Sequence, residues 1–317
     1  MERAKTVKKY QVSKPLLFII YNKPEETEKV FKIIQKVKPK KIYIAADGPS
    51  QNATKSELEK ISQTRSIVKK INWKCSVKTL FREQNLGCKL GVTQAITWFF
   101  QNESEGIILE DDCLPNIYFF EYCDKLLDKY KHNTRISSIS GSNPYEGGIN
   151  IHDSYLFSSH SQIWGWATWK RVWDLYDVNM KDWKNVKDSG EFCTKFYSER
   201  AYTYWKNLFQ KCFEGKIDTW DYQFFFCQLK NNLLTIVPSK NLVSNIGFGK
   251  NATHTKFDIH SIANLPTRKL HTPYIHPSKI EVNTEYDTAL EKQLSNKNLF
   301  TIARNIIIQI YVAINHN

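Results

Sequence analysis

The sequence predicts an α/β fold in which a mostly parallel central sheet is flanked by helices. Over the first 140 residues, short apolar runs alternate with stretches whose apolar residues recur at helical spacing. Alternation of this kind is typical of βαβ units, whose strands lie parallel in one sheet. The chain has 317 residues, of which 41% are apolar, so it can bury a substantial core.

The first strand is predicted at 15–21, where PLLFIIY forms a short apolar run. A helix is predicted at 24–37, because Val30, Ile34 and Val37 recur at a spacing that places them on one helix face. The same reasoning gives the following segments, in chain order: strand 40–47, helix 54–71, strand 75–81, helix 88–101, strand 106–110, helix 117–130 and strand 135–141.

The regular alternation stops near residue 150. Beyond it we expect helices near 191–214 and 218–231 and a strand pair near 233–246. The segment 158–173 is rich in tryptophan, and Trp166, Trp169 and Trp173 fit one helical stripe.

Charge and cysteine content restrict the class of protein. The formal net charge is +13, and a basic surface attracts phosphates, nucleic acid or an anionic membrane, although a lysine-rich surface also serves solubility. The seven cysteines show no CxxC pair or zinc-finger spacing, and no secretory signal opens the sequence, which favours a cytoplasmic protein with reduced thiols. The apolar stretch 299–314 predicts a packed C-terminal helix or one lying on the inner face of the membrane.

Three consecutive carboxylates, Glu110, Asp111 and Asp112, end one of the predicted strands. Adjacent carboxylates repel one another, and burial adds a desolvation cost, so both effects disfavour their charged forms. A divalent cation removes this cost, and Mn²⁺ or Mg²⁺ commonly binds one or two carboxylates together with substrate phosphates. A solvated acidic loop is the alternative. Because ligands bind beyond the carboxyl ends of strands in open parallel sheets, we expect a metal site here.

Several other nucleotide and acyl-transfer motifs are absent from the sequence. It contains no G-x-x-x-x-G-K-[ST], no G-x-G-x-x-G after the first strand and no G-x-S-x-G. A diphosphate bridged by a metal ion is then the natural way to hold a nucleotide.

The segment LEDDCLPNIYFFEYCDKLL resembles the acidic-motif segment of GT-A glycosyltransferases. The resemblance is to the N-acetylglucosaminyltransferase I-like family and its bacterial relatives. Further segments within residues 15–255 agree in their order along the chain: PLLFIIYNKPEETEKVFKII, IYIAADGP, REQNLGCKLGVTQAITWFF, WGWATWKRVW, TWDYQFFF and SNIGFGKNATHT.

This resemblance implies a GT-A (nucleotide-diphospho-sugar transferase) fold with a C-terminal acceptor-side portion. It implies a metal-dependent inverting glycosyltransferase that moves a sugar from a nucleoside diphosphate sugar, with UDP expected, to a glycan or lipid-linked acceptor. Asp112 would be the direct metal ligand, while Asp111 would face the ribose and Glu110 the donor sugar or the loop backbone. The other implied donor-site residues are Asp47, Arg82, Asn85 and Lys89.

Inverting transfer needs a general base for the acceptor hydroxyl. The resemblance implies Asp221, whereas Asp218 is better explained as the N-cap of a helix. It also implies His254 as a ligand of the metal or the diphosphate. Trp164 and Trp166, which flank Gly165, are the candidates to stack on the acceptor sugar.

The same reasoning divides the chain into four parts. They are a basic N-terminal extension (1–14), a nucleotide-sugar-binding half (15–150), an acceptor-side and catalytic half of the same domain (151–260) and a tail with an apolar helix (261–317).

Three alternatives remain open from the residues. A sugar-phosphate nucleotidyltransferase would also use an acidic metal site, but its expected Gly-rich loop with Arg or Lys after the first strand is not matched by YNKPEE. A basic nucleic-acid-binding protein is favoured by charge alone, and we expect no nucleic acid partner. A scaffold that binds the donor without turnover is the third.

Overall fold

The structure is a computed structural model that describes residues 10–247 and 264–295. The first half forms the predicted alternation of strands and helices. Its elements are β1 (Leu16–Ile20), α1 (Pro24–Val37), β2 (Lys41–Ala46), α2 (Lys55–Arg65), β3 (Ser76–Phe81), α3 (Gly87–Phe100), β4 (Glu105–Glu110), β5 (Cys113–Pro115), α4 (Ile117–Lys129) and β6 (Ile136–Ser140). A short 3₁₀ helix, Ser66–Lys70, follows α2.

The second half is less regular. Its elements are β7 (Tyr155–Ser158), β8 (Trp166–Trp169), α5 (Lys170–Trp173), α6 (Trp183–Val186), α7 (Gly190–Cys193), α8 (Glu199–Phe213), α9 (Asp221–Lys230), β9 (Leu234–Pro238), β10 (Val243–Asn245) and α10 (Thr284–Ser295). The helix predicted near 191–214 is divided between α7 and α8.

Local sequence explains where several helices begin. Pro24 stands in the first turn of α1, where its missing N–H costs no hydrogen bond. The Thr54 side chain accepts a hydrogen bond from the Glu57 N–H at the start of α2. Asn116 likewise caps α4, since its side chain accepts hydrogen bonds from the Tyr118 and Phe119 N–H groups.

The predicted fold class is confirmed. Eight strands form one sheet in the order β3-β2-β1-β4-β8-β6-β9-β7, and the pairs β3-β2, β2-β1, β1-β4 and β6-β9 are parallel. Strand β8 runs antiparallel between β4 and β6. Strands β1 and β4 are buried almost throughout, as expected for strands that helices cover on both faces.

Both strands predicted near 233–246 are present, but their pairing with each other is wrong. Strand β9 joins the main sheet beside β6 and β7, while β10 pairs antiparallel with β5. The sequence showed two apolar runs separated by a short turn, but hydrophobic pattern does not say which partner a strand takes. The β5–β10 pair places residues 246–247 beside the acidic triplet.

The helical stripe of tryptophans is also wrong. Trp166 and Trp169 lie on β8, and only Trp173 lies on a helix, α5. A short run rich in aromatic residues fits the spacing of a strand as well as that of a helix. Here the segment 166–169 forms a strand because it pairs with β4 and β6. All three rings are buried.

Helix α10 is held by a cluster of buried charges. His160 lies between Asp287 and Glu291, and all three residues are at most 1% exposed. The His160 Nδ1–Asp287 Oδ2 distance is 3.6 Å, and the His160 Nε2–Glu291 Oε1 distance is 3.2 Å. The second contact is an ion pair without a hydrogen bond. The Tyr197 N–H donates to Glu291 Oε2, which links α10 to the segment before α8.

Burial alone lowers the pKa of His160, but the close contacts with the carboxylates of Asp287 and Glu291 outweigh burial and raise that pKa to about 9. The same contacts lower the pKa of Asp287 despite its burial. The positive charge of His160 is therefore balanced by two carboxylates of α10, and these ion pairs hold α10 against the segment that follows β7.

Within residues 10–247 and 264–295, no helix has the length and apolar character needed to cross a membrane. The predicted apolar helix at 299–314 lies outside the described residues.

Candidate functional site

The candidate site lies at the carboxyl edge of the sheet, which is the edge where the parallel strands β1, β2 and β4 end. Ile19 of β1 is in register with Glu110 of β4, so the chain that follows β1 runs beside Asp111 and Asp112. Asp47 follows β2 at the same edge. Parallel strands thus bring three separate loops together.

Lys23, in the loop after β1, is a candidate site residue that sequence reasoning missed. Its Nζ lies 2.7 Å from Asp112 Oδ2 and 3.8 Å from Asp111 Oδ1. Burial alone lowers the pKa of Lys23, but the charges of Asp111 and Asp112 outweigh it and raise that pKa above its usual value. Lys23 could have been identified from its position, because loops that follow neighbouring parallel strands meet at one edge.

Asp111 is only 6% exposed and is tied to the end of β1, since the Tyr21 N–H donates to its Oδ2 at 2.9 Å. Burial raises the pKa of Asp111 and of Glu110, and the neighbouring carboxylates raise both further. The charge on Lys23 opposes both shifts. The triplet is therefore held in surroundings that favour an added cation.

Asp112 is positioned by the strand pair described above. Its backbone carbonyl accepts the Ile246 N–H at 2.9 Å. A Cβ built on Gly247 would lie 2.1 Å from Asp112 Oδ2, so only glycine leaves that carboxylate where it is. This close approach explains why position 247 is occupied by glycine, which has no Cβ.

Asp47 and Asn85 connect the loops at this edge. The Asp47 carboxylate accepts the Leu86 N–H at 2.9 Å, which fastens the loop after β2 to the start of α3. Asn85 donates to the Gly48 carbonyl at 3.0 Å and to the Tyr21 hydroxyl at 3.1 Å. Both predicted residues thus lie at the carboxyl edge, where they hold three loops in place.

Arg82 and Lys89 lie on either side of that junction. Arg82 Nη2 donates to Gln94 Oε1 at 3.3 Å, and burial lowers the Arg82 pKa while the Asp47 charge opposes the change. Lys89 is in the first turn of α3, and its backbone N–H donates to Asp218.

Asp218 does cap a helix, but not the one predicted. It accepts the N–H groups of Cys88 at 2.9 Å and Lys89 at 3.2 Å at the start of α3, whereas α9 begins three residues later, at Asp221. The sequence could not show this, because the capped helix is 130 residues away along the chain.

Asp221 is the first residue of α9, and Thr219 donates a hydrogen bond to its carboxylate. Its negative charge contributes to the raised pKa values of Glu110 and Cys88. The start of α9 therefore lies close to the acidic triplet.

Trp166 is 1% exposed, stacks on Trp220 with ring centroids 5.6 Å apart, and also packs on Phe224. It has no free face for a sugar, so the predicted role in acceptor binding does not hold for Trp166. Trp164 is partly buried against the same core. His254, the second predicted metal ligand, lies outside the described residues.

The carboxylates fit a divalent cation only in part. In the part of the chain that the structure describes, no group of three His, Cys, Asp or Glu side chains could hold a metal ion. Asp112 is one suitable ligand, with Glu110 and Asp111 beside it. Mg²⁺ usually takes one or two carboxylates and completes its shell with substrate phosphates and water, so Asp112 is a candidate ligand for it.

No family model matches this chain, and no curated protein does so either. Solved structures match parts of it. HddC from Yersinia pseudotuberculosis matches at 9% identity over 51% of this chain and 79% of that chain, with a TM-score of 0.32. A 4-diphosphocytidyl-2C-methyl-D-erythritol synthase from Anaerococcus prevotii matches at 9% identity over 51% and 74%, with a TM-score of 0.32. A UDP-glucose pyrophosphorylase in complex with UDP-glucose matches at 8% identity over 51% and 78%, with a TM-score of 0.29.

The predicted inverting glycosyltransferase is not retained, because none of the matches reported above is named as a glycosyltransferase. At these TM-scores the matches establish no reaction for this chain. The resemblance to the N-acetylglucosaminyltransferase I-like family has no support from family models or curated proteins. At identities of 8–9% we transfer no residue role from these structures. The α/β fold itself rests on the sheet topology described above.

Proposed function

We propose that this protein is a metal-dependent nucleotidyltransferase that joins a nucleoside triphosphate to a sugar phosphate. The products would be a nucleoside diphosphate sugar and pyrophosphate. The observation that carries the proposal is the position of Lys23 against Asp112 and Asp111 at the carboxyl edge. The ammonium group of Lys23 supplies one positive charge, and the carboxylates beside it could bind a divalent metal ion as the second. A triphosphate carries several negative charges that such cations would balance.

Lys23 removes the main objection from the sequence. The loop YNKPEE is not rich in glycine, but its lysine is half-buried against Asp111 and Asp112, at the edge where substrate would bind. In the proposed reaction an oxygen of the sugar phosphate attacks the α-phosphorus, and the bond from that phosphorus to the pyrophosphate oxygen breaks. Negative charge grows on the leaving pyrophosphate, and the ammonium of Lys23 would stabilise it. A divalent cation on Asp112 would add to that stabilisation.

This chemistry changes the role expected of Asp221. A sugar phosphate is already ionised at neutral pH, so its attacking oxygen needs no general base. We propose that Asp221 accepts hydrogen bonds from sugar hydroxyls, which its place beside the triplet supports. Asp47, Arg82 and Asn85 would border the nucleoside from the loops after β2 and β3, with Lys89 beside them.

The direct test is a substrate screen. The full chain would be incubated with each common nucleoside triphosphate, a panel of sugar 1-phosphates and Mg²⁺ or Mn²⁺, and pyrophosphate release would be measured. The new nucleoside diphosphate sugar would be identified by mass spectrometry. We expect both products in one pair of substrates and neither after chelation. Release of a nucleoside diphosphate from a sugar nucleotide, with no pyrophosphate from any pair, would overturn the proposal.

Gly247→Ala tests the positioning of Asp112. The added methyl group must displace the carboxylate, and a misplaced group of this kind costs between about 10-fold and 100-fold in kcat/KM. Gly190→Ala is the matched control, because a Cβ there meets nothing within 4 Å. Pyrophosphate-release kinetics at several Mg²⁺ concentrations would measure the effect. Equal activities of the two variants would show that Asp112 need not stay in place.

A further inference from the structure

A cluster of lysines lies away from the candidate site, at the far end of α1. Lys32, Lys36 and Lys38 line a groove of about 430 Å³ together with Gln35 and Asn72. Helix α1 starts next to Lys23 and has 14 residues, so its far end lies roughly 20 Å from the site. We call the surface formed by these three lysines with Gln35 and Asn72 the lysine groove.

The charge of the lysine groove is uncompensated. Among the described residues, no carboxylate lies within ion-pair distance of Lys32, Lys36 or Lys38, all of which are exposed. The Glu28 carboxylate, on the same helix, forms an ion pair with Lys70 at 2.5 Å. Four further exposed lysines occur on α1 and in the adjoining segments: Lys29, Lys40, Lys69 and Lys74.

An apolar groove of about 540 Å³ adjoins this surface and shares Lys36 with it. Apolar members of its lining include Ile33, Leu114, Ile117 and Leu265. Ammonium groups beside an apolar groove suit an amphiphilic ligand: the lysines would contact its anionic headgroup, and the apolar groove would contact its hydrocarbon part.

The residue types favour a lipid surface over nucleic acid. The lysine groove holds no arginine and no aromatic ring, whereas nucleic acid sites commonly use arginine and stacking side chains. Clusters of lysines on an amphipathic helix are typical of contacts with anionic lipid headgroups. We propose that the lysine groove and the adjoining apolar groove form a contact surface for an anionic phospholipid membrane.

Vesicle flotation tests this proposal independently of the reaction. The full chain would be mixed with vesicles of phosphatidylcholine, or of equal parts phosphatidylcholine and phosphatidylglycerol. The triple variant Lys32→Gln, Lys36→Gln, Lys38→Gln would be compared with Lys55→Gln, Lys60→Gln, Lys181→Gln. Both variants lose the same net charge, and all six lysines are exposed.

We expect the unaltered chain to bind only the anionic vesicles. The groove variant should bind them about 100-fold more weakly, because each surface lysine contributes about a fivefold factor to such binding. The control variant should lose less than about 10-fold. Equal losses in the two variants, or equal binding to neutral vesicles, would overturn the proposal. It would also be overturned if duplex DNA displaced the unaltered chain from the vesicles and the groove variant did not bind that DNA.

Discussion

Replacing Asp112 with asparagine is expected to lower kcat for nucleotidyl transfer by about 1000-fold, the upper range for loss of one electrostatic stabiliser. Asparagine keeps the shape of the side chain but removes its charge. It can no longer attract a divalent cation as a carboxylate does, and Lys23 loses its nearer partner, at 2.7 Å. Pyrophosphate-release kinetics over a range of Mg²⁺ concentrations would also show a higher requirement for the cation.

Asp188→Asn is the control for that experiment, because Asp188 is exposed and its nearest ammonium groups are 3.8 and 4.0 Å away. Exposed ion pairs of this kind contribute little to stability. Thermal unfolding would confirm that both variants are folded. If Asp112→Asn kept kcat within threefold of the unaltered chain, the carboxylate would have no part in the reaction.

Raising the pH from 6.5 to above 9 is expected to reduce the free energy of unfolding by about 3 kcal/mol through His160 alone. The folded-state pKa of His160 is about 9, against 6.5 when unfolded. A raised pKa means that the folded state holds the proton more tightly. The stabilisation is therefore complete below pH 6.5 and is lost as the pH rises through 9. Urea unfolding at pH 6.5, 8 and 9.5 would measure it.

His160→Gln should remove this pH dependence and destabilise the protein at pH 6.5, because Asp287 and Glu291 would be left buried with less compensation. His152→Gln provides the control, because His152 is exposed. Unfolding profiles that remain parallel for His160→Gln and the unaltered chain between pH 6.5 and 9.5 would contradict the proposed ion pairs.

The buried charge cluster around His160 has no signature in the sequence. His160 is 127 positions from Asp287 and 131 from Glu291, and each of the three alone is typical of a surface residue. Contacts between residues far apart in the sequence also explain two wrong predictions. Asp218 caps a helix that is distant along the chain, and β10 pairs with β5. Short-range pattern predicts an element but not its neighbour.

By itself the sequence determined the alternation of strands and helices in the first half of the chain and the position of the acidic triplet after a buried strand. Both follow from hydrophobic periodicity, which is a local property. Tertiary structure decided which loops face that triplet, so it alone revealed Lys23 against Asp112 and Gly247 behind it. The physical reason is that charge and steric contacts act over a few ångströms of space, whatever the distance along the chain.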